Sequence, residues 1–233
     1  MKPLARATLA EFLGTMFLVA VVVGSGIMAT RLSPHDVGLQ LLQNSFATAG
    51  GLVALILAFG SVSGAHFNPV VSIVDWKLGG LAPRALLAYI PAQIAGACAG
   101  SIVANLMFDL DAINVSSKVR DGSGLWFAEV IATIGLLLVI FGSTRGGNSR
   151  ATPFAVGAYI GGAYFFTSST SFANPAVTIG RTLSDTFAGI DPSSVLAFVG
   201  AQLVGALIAF VLILALYPHF DATKVVVAHE EPA

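Results

Sequence analysis

The sequence predicts an all-α membrane protein with six membrane-spanning helices and two half-helices that enter the membrane without crossing it. Three observations predict this fold class. Of the 233 residues, 56% are hydrophobic and only 10% are charged, whereas soluble domains carry about 25% charged residues. Several long windows contain no Asp, Glu, Lys or Arg. The dipeptide Asn-Pro occurs twice inside such windows, at Asn68-Pro69 and at Asn174-Pro175.

The full spans follow from the uncharged windows, because a spanning helix needs about 20 apolar residues. Two windows, 37–74 and 151–180, are too long for one span. As a single helix the first would be about 57 Å long, nearly twice the thickness of the hydrocarbon core. Each window breaks at a run of small residues, so we expect a span followed by a re-entrant loop and a half-helix. The predicted spans are 7–30, 37–60, 84–107, 124–145, 151–168 and 193–217.

Each Asn-Pro dipeptide is predicted to begin a half-helix. Asn favours the N-cap position, and Pro tolerates the first helical position because its missing N–H is not needed there. Non-helical backbone at membrane depth persists only where protein or water satisfies its polar groups. The two breaks therefore indicate a water-lined pore or binding site near the midplane of the membrane.

An internal repeat divides the chain into two halves of three spans each. The halves, approximately 5–108 and 123–218, form a single predicted transmembrane channel domain over 1–233, with a mobile tail at 221–233. Because each half has an odd number of spans, the second is expected to be inverted relative to the first. Three pairs of segments match in the same order: 10–15 with 128–133, 68–71 with 174–177, and 92–97 with 201–206.

The distribution of Lys and Arg predicts the orientation. One side of the six-span arrangement carries more basic residues and is assigned to the cytoplasm, together with both termini. The first apolar run is interpreted as a retained span, since it is too long for a signal peptide. A net charge of −1 argues against a nucleic-acid partner. The basic residues assigned to the cytoplasmic side are Lys2, Arg6, Lys77, Arg84, Arg145, Arg150 and Lys224.

Two carboxylates, Glu11 and Glu129, fall inside predicted spans at matched places of the repeat. They could relay protons, or they could accept hydrogen bonds from the loops that carry Asn-Pro. The matched placement favours the structural role. His66 has no other His or Cys near it in sequence, so we expect neither a metal site nor catalysis, and no cofactor. Cys98 is the single cysteine and is interpreted as a packing residue.

These motifs resemble those of the aquaporin, or major intrinsic protein, family over essentially the whole chain. The resemblance rests on Ser63-Gly64-Ala65-His66-Phe67-Asn68-Pro69, on Asn174-Pro175-Ala176, and on the paired Ala-Glu and Ala-Gln motifs. It implies a passive channel in the lipid bilayer, usually a homotetramer with one pore per subunit. The pore centre implied by the resemblance comprises Asn68, Pro69, Val70, Asn174, Pro175 and Ala176.

The resemblance also implies a selectivity filter, which spacing from the motifs assigns to Thr48, Gly162, Ser171 and Val177. The family usually has Arg directly after the second Asn-Pro-Ala, where this chain has Val177. We therefore expect a wide, uncharged filter without Arg or aromatic side chains. A slip of one residue at Ser171 would instead place Phe172 there. Arg181 is expected to pair with Asp185, four residues further on; the alternative is that it reaches the pore mouth.

The second Asn-Pro motif and the residues after it are most similar to bacterial aquaglyceroporins encoded with arsenic-resistance genes. This similarity implies a multi-pass protein of the bacterial inner membrane that conducts arsenous acid as well as glycerol and water. An ordinary water or glycerol channel is the alternative within the same class. An ion-coupled secondary transporter is the alternative from another class, but the breaks carry only Asn, Ser and Thr rather than a site for a coupling ion. A structural junction protein without transport is a further alternative.

Overall fold

The computed structural model describes residues 3–218 and contains eight α-helices within that range. Short 3-10 turns precede α6, follow α7 and precede α8. The tail predicted to be mobile, 221–233, lies outside the described residues. The helices are α1 Pro3–Leu32, α2 Val37–Ser63, α3 Pro69–Lys77, α4 Pro83–Met107, α5 Ser123–Arg145, α6 Thr152–Phe166, α7 Pro175–Gly180 and α8 Val195–Leu216.

Five of the helices in this range are long and apolar enough to cross a membrane: α1, α2, α4, α5, and α8 with the turn before it. The span predicted at 151–168 corresponds to α6, which has only 15 residues and is about 22 Å long. It ends at Phe166 because Thr167 is extended, with φ −107° and ψ 135°. The backbone then turns left-handed at Thr170 and Ser171.

The two half-helices begin where the Asn-Pro dipeptides predict. The α3 helix has nine residues and α7 has six. Oδ1 of Asn68 accepts a hydrogen bond of 3.0 Å from the backbone N–H of Val70. Oδ1 of Asn174 accepts from the N–H groups of Ala176 and Val177, at 3.0 and 3.2 Å. Both prolines occupy the first helical turn, so the N-cap prediction is confirmed.

Helix packing repeats between the two parts of the chain. In the first part α1 packs against α2 and α4, and in the second α5 packs against α6 and α8. The parts meet where α2 packs against α6 and where each half-helix contacts the last helix of the other part, α3 with α8 and α7 with α4. Both half-helices therefore lie in the middle of the molecule, between elements of both parts.

Glycines allow α4 to approach α1 closely. A Cβ added at Gly96 would lie 2.3 Å from the carbonyl oxygen of Phe12, and one at Gly100 would lie 2.3 Å from that of Met16. No side chain fits at such distances, so the backbones of the two helices are in direct contact. Small residues spaced four apart generally allow membrane helices to pack this closely.

Candidate functional site

The two Asn side chains join the half-helices at the centre of the molecule. Nδ2 of Asn68 donates to the carbonyl oxygen of Ala173, and Nδ2 of Asn174 donates to that of Phe67, both at 2.8 Å. Each amide nitrogen carries two hydrogens, so one N–H of each Asn remains for a solute. The two Asn residues assigned to the pore centre from the sequence therefore lie close together. Each caps its own half-helix and donates a hydrogen bond to the loop before the other half-helix.

The re-entrant loops share an unusual backbone conformation at matched positions. Ala65 and Phe67 have φ of 51° and 50°, and Ser171 and Ala173 have φ of 52° and 46°. A non-glycine residue in this left-handed region costs about 1–3 kcal/mol. The cost is offset by contacts from elsewhere in the fold, and these contacts come from the two buried carboxylates.

Glu11 holds the first loop. Its Oε1 accepts from Oγ of Ser63 at 2.6 Å and from the backbone N–H of His66 at 3.0 Å. Its Oε2 accepts from the N–H of Phe67 at 2.7 Å and from Nε2 of Gln93 at 2.8 Å. Four donors thus satisfy the hydrogen-bonding capacity of this carboxylate. These bonds explain why an acid is buried inside a spanning helix, and no proton relay is needed to explain it.

Glu129 holds the second loop in the same way. Its oxygens accept from the backbone N–H groups of Phe172 and Ala173, each at 2.8 Å, and from Nε2 of Gln202 at 2.7 Å. The same Gln202 nitrogen also lies 2.9 Å from Oγ1 of Thr178 in α7. The structure therefore has the hydrogen bonds that the structural interpretation of both carboxylates predicts.

A cavity of about 80 Å³ passes beside both Asn residues. A single water needs roughly 10–15 Å³ of such space, so several waters fit. One end, which we call the arginine end, is lined by Thr48, Tyr164, Ser171, Phe172 and Arg181; the opposite end is lined by Gly64, Ala65, His66 and Thr152. Most of the remaining wall is aliphatic, formed by Leu18, Val22, Leu52, Ile56, Val71, Leu136, Ile140, Val156, Ile160 and Val177.

The structure places the other pore-centre residues in the core rather than on the cavity wall. Val70 and Ala176 are fully buried, and neither they nor Pro69 and Pro175 line the cavity. Val70 instead belongs to the apolar core around the half-helices. The side chain of Val70 therefore does not narrow the cavity directly.

Three of the four predicted filter residues, Thr48, Ser171 and Val177, line the cavity, but Gly162 does not. Gly162 is exposed on α6. The α6 side chain at this end is Tyr164, whose hydroxyl lies 3.0 Å from Oγ1 of Thr48. A shift of two residues rotates a helix position by about 200°, so the spacing from the motifs selected the wrong face of α6.

The expectation of a filter without Arg or aromatic side chains is also wrong. Tyr164, Phe172 and Arg181 all line the cavity. The guanidinium carbon of Arg181 lies 3.5 Å from the centroid of the Phe172 ring, and its Nε donates to the carbonyl oxygen of Ala188 at 2.5 Å. Arg181 follows Val177 by one helical turn, so a long side chain on the same face reaches the cavity.

Arg181 does not form the ion pair predicted with Asp185. Oδ1 of Asp185 instead accepts from the backbone N–H of Ser117 at 2.9 Å, and both its oxygens lie 3.2 Å from Oγ of that serine. Of the two roles considered for Arg181, reaching the pore mouth is the one the structure has.

Two further cations, missed by the sequence analysis, approach the arginine end from the segment between α4 and α5. The guanidinium of Arg120 lies 5.0 Å from the Phe172 centroid, and its Nε donates to the carbonyl oxygen of Gly189 at 2.9 Å. Nζ of Lys118 donates to the carbonyl oxygen of Phe187 at 2.8 Å. The sequence did contain a signal for them: this polar segment between α4 and α5 has two closely spaced basic residues, in a chain with only 11 Lys and Arg.

The charges in this joint perturb one another. Partial burial, and then the positive charges of Arg120 and Arg181, lower the pKa of Lys118 to about 8. Burial lowers the pKa of Arg120 to about 10, against the opposing effect of Glu129 and Tyr164. The mouth of the cavity is therefore an electropositive region in which the two arginines make the charged form of Lys118 less favourable.

The opposite end of the cavity has a different chemistry. Nδ1 of His66 lies 3.0 Å from Oγ of Ser72, and Nε2 lies 3.5 Å from Oδ2 of Asp75. Asp75 is 2% exposed and was missed because it falls just after the uncharged window 37–74. Residues 3–218 contain no group of three or more His, Cys, Asp or Glu that could hold a metal ion.

Comparisons with known proteins agree with this arrangement. Residues 1–173 match the protein family described as Major intrinsic protein. Aquaglyceroporin AqpS of Rhizobium meliloti (strain 1021) is 49% identical over 209 residues, which cover 90% of this chain and 89% of that protein. The glycerol uptake facilitator protein of Pseudomonas aeruginosa is 33% identical, covering 83% of this chain and 78% of that protein.

A solved structure, the aquaglyceroporin from Plasmodium falciparum, aligns with a TM-score of 0.68 and 20% identity over 90% of this chain and 95% of that one. At this identity the alignment supports the fold alone. These relatives are channels rather than enzymes. The half-helices, the joined Asn residues and the family match together establish that the chain belongs to the major intrinsic protein family, as a multi-pass membrane channel of aquaglyceroporin type.

Proposed function

We propose that the chain is a passive channel for water, glycerol and arsenous acid, which cross the membrane through the cavity between the two half-helices. The observation that carries this proposal is the reciprocal pairing of Asn68 and Asn174 beside that cavity. The pairing fixes two helix N-termini at one point and leaves an amide N–H on each side chain for a passing solute.

The electrostatics of this centre suit uncharged solutes. Each half-helix N-terminus carries roughly half a positive charge, so α3 and α7 together repel cations and hydronium. A neutral solute with hydroxyl groups replaces its water hydrogen bonds at a few polar positions and slides along aliphatic walls between them. These polar positions are Thr48 with Tyr164, the two Asn amides, and His66 with Thr152.

Arsenous acid fits the same description. Near neutral pH it is an uncharged molecule with three hydroxyl groups, comparable to glycerol in its hydrogen bonding. It needs hydroxyl-compatible walls and neither a metal nor a nucleophile. Because Tyr164 and Arg181 occupy the arginine end, we propose cargo of about glycerol size rather than the bulkier solutes that an open filter would admit.

Proteoliposomes test this proposal directly. Water, glycerol and arsenous acid fluxes are measured by stopped flow and uptake in one vesicle preparation. We expect all three fluxes to exceed those of empty vesicles, to rise linearly with concentration, and to be independent of ion gradients. Dependence on a proton or sodium gradient would identify a coupled transporter, and fluxes equal to those of empty vesicles would identify a protein without transport.

A matched pair of variants ties the flux to the cavity. Ile56 lines the cavity, whereas Leu207 is 66% exposed on α8. We expect Ile56→Trp to fill the cavity and reduce all three fluxes severalfold, and Leu207→Trp to leave them near the wild-type value. Equal effects of the two substitutions would place the permeation path elsewhere.

We also propose a setting for this channel: a single transmembrane domain of two inverted repeats in the bacterial inner membrane, with both termini in the cytoplasm. The excess of Lys and Arg on one side supports the orientation, and the matched helix packing supports the repeat. A homotetramer is the assembly expected from the family. Native mass spectrometry counts the subunits, and a smaller oligomer would contradict this part of the proposal.

A further inference from the structure

We propose that the arginine end of the cavity is a binding site for a small monovalent oxyanion, which blocks the passage of neutral solutes while it is bound. The site consists of the guanidinium of Arg181 and the hydroxyl of Ser171, with Arg120 and Lys118 contributing charge. This inference rests on the proposed function, because the bound anion is detected through the flux that it stops.

Arg181 is a buried cation without a carboxylate partner. Its side chain is 3% exposed and lines the cavity, and no Asp or Glu between residues 3 and 218 forms an ion pair with it. Its Nε is satisfied by Ala188, but neither terminal nitrogen donates a hydrogen bond to any described residue. Buried charges in proteins are normally paired, so the free face of this guanidinium calls for an anion.

Ser171 supplies a second, independent donor at the same place. Its Oγ is buried, has no hydrogen-bond partner in the described part of the chain, and belongs to a residue that lines the cavity and is only 5% exposed. The backbone of Ser171 is fixed, because its N–H donates to Oγ of Ser169 at 3.2 Å. An unpartnered hydroxyl held in the wall beside an unpaired guanidinium is a prepared site for oxygen ligands.

The surrounding charge favours a negative ligand. Arg120 approaches Phe172 from the joint between the halves, and Lys118 lies within Coulombic range of both arginines. The charge of Glu129 acts favourably on both arginines, but its oxygens are already occupied by Phe172, Ala173 and Gln202. An anion at the arginine end would relieve the repulsion between the cations.

The geometry selects the kind of anion. The two terminal nitrogens of a guanidinium donate in parallel to two oxygens of a planar oxyanion, and a third oxygen can accept from Ser171. The cavity, about 80 Å³ over its whole length, has room for a nitrate-sized ion. A bound ion would lie against Thr48 and Tyr164, across the path of a neutral solute.

Nitrate is the probe for this site, and gluconate is the reference anion. Osmotic water flow across proteoliposome membranes is driven by a gradient of an impermeant solute. It is measured with potassium nitrate on both sides and again with potassium gluconate of equal osmolality on both sides. We expect water permeability of the wild type to fall severalfold and saturably as nitrate replaces gluconate. For each variant, we compare water flow in nitrate with the flow of the same variant in gluconate. The measured quantity is the nitrate concentration at which the flow falls to half of that gluconate value, called the half-inhibiting nitrate concentration.

The variants separate a site from a general salt effect. We expect Arg181→Leu to raise the half-inhibiting nitrate concentration roughly tenfold or more, since a hydrogen bond to a charged group contributes about this factor. Arg181→Lys keeps the charge but loses the paired donors, so an intermediate value is expected, and Ser171→Ala should weaken inhibition to a smaller degree. Arg150→Leu removes an exposed cation outside the arginine end and should behave as the wild type.

The outcomes distinguish this inference from the proposed function. Water flow in gluconate equal to that of empty vesicles would overturn the channel itself. Normal flow in gluconate with no response to nitrate, or with equal inhibition of the wild type and every variant, would overturn the anion site alone. If Arg181→Leu yields no folded protein, Arg181→Lys and Ser171→Ala decide the question. The deciding quantity is again the half-inhibiting nitrate concentration of each variant relative to that of the wild type.

Discussion

At the scale of single residues, the arginine end depends on where one long side chain is anchored. Arg181 is four positions after Val177, and its guanidinium still reaches the cavity because Phe172 and Ala188 hold it there. A guanidinium over an aromatic face is stabilised by about 0.5–2 kcal/mol. A charge can therefore be supplied to a constriction from the next helical turn, and the residue type at one motif position does not fix the electrostatics of the site.

Glu129 provides a test of whether the buried carboxylates position the loops or relay protons. Replacing it by Gln leaves an amide that cannot accept from Phe172, Ala173 and Gln202 as the two carboxylate oxygens do. We expect Glu129→Gln to lower the unfolding free energy by about 1.5–3 kcal/mol for each charge-assisted bond lost. Thermal unfolding in detergent measures this. Unchanged stability with altered proton flux would favour the relay.

Some site residues could be assigned from the sequence and others could not, and the difference lies in which contacts determine their positions. The two Asn caps depend on local chemistry, and Glu11 and Glu129 follow from their matched places in the repeat; all four were identified from the sequence. Arg181 was placed wrongly because its anchors come from other segments. Gly162 was misassigned because a shift of two residues along α6, about half a turn of the helix, separates an exposed position from the cavity-lining position of Tyr164.

At the scale of elements, the contact between α1 and α4 leaves no space for a side chain at the crossing. A Cβ on Gly96 would lie 2.3 Å from the carbonyl oxygen of Phe12 and 3.2 Å from the backbone nitrogen of Met16. Both atoms belong to helical backbone, which cannot rotate away as a flexible side chain can. Any larger residue must push the two helices apart.

Gly96→Ala is therefore expected to destabilise the protein by at least about 1–3 kcal/mol, the usual cost of overpacking. Gly50 is the matched control, since it lies within α2 and a Cβ there would meet nothing within 4 Å. Gly50→Ala should be neutral, or stabilising by about 0.5–1 kcal/mol. Melting temperatures of the two variants in one detergent make the comparison; equal shifts would contradict the close approach of α1 and α4.

Element bounds were predictable where polar residues interrupt apolar windows, and less so where they do not. The half-helix starts were located to the residue, because Asn and Pro have specific roles at N-caps. The first span was predicted at 7–30, whereas α1 runs from Pro3 to Leu32, because the helix continues through Arg6 at one end and Arg31 at the other. The apolar composition of a segment indicates which residues lie within the hydrocarbon core of the membrane. The hydrogen bonding of the helix continues past those residues.

At the scale of the whole molecule, the joint between the halves is part of the site. The polar segment 109–123 connects the two halves. In the structure this segment is tied to the middle of the second half, by a bridge between Asn114 and Ser184 and by the contact of Arg120 with Phe172. The connection therefore carries charge to a cavity that two other segments build.

Lys118 makes this contribution sensitive to pH. Its pKa is lowered to about 8, so its charge is present below that pH and lost as the pH rises through it, while the unfolded chain keeps the proton to higher pH. We expect nitrate inhibition of water flow to weaken between about pH 7 and 9 in the wild type. The charged groups around it are Arg120, Arg181, Asp185 and Asp191.

Lys118→Gln is the control for this pH dependence. Its half-inhibiting nitrate concentration should resemble that of the wild type at high pH and should stay constant across the range. Lys118→Arg keeps its charge throughout and should retain the strong inhibition at both ends. A pH response that persists in Lys118→Gln would assign the titration to another group.

The exchange of hydrogen bonds between Asn68 and Ala173, and between Asn174 and Phe67, also constrains how the protein is made. The first pair of partners is 105 positions apart in the chain, so a ribosome must add about half of the second repeat before the earlier loop can reach its final conformation. Until then the nascent protein holds an unfinished loop inside the bilayer. The two re-entrant loops therefore reach their final conformation together, late in synthesis, because each needs a hydrogen bond from the other half.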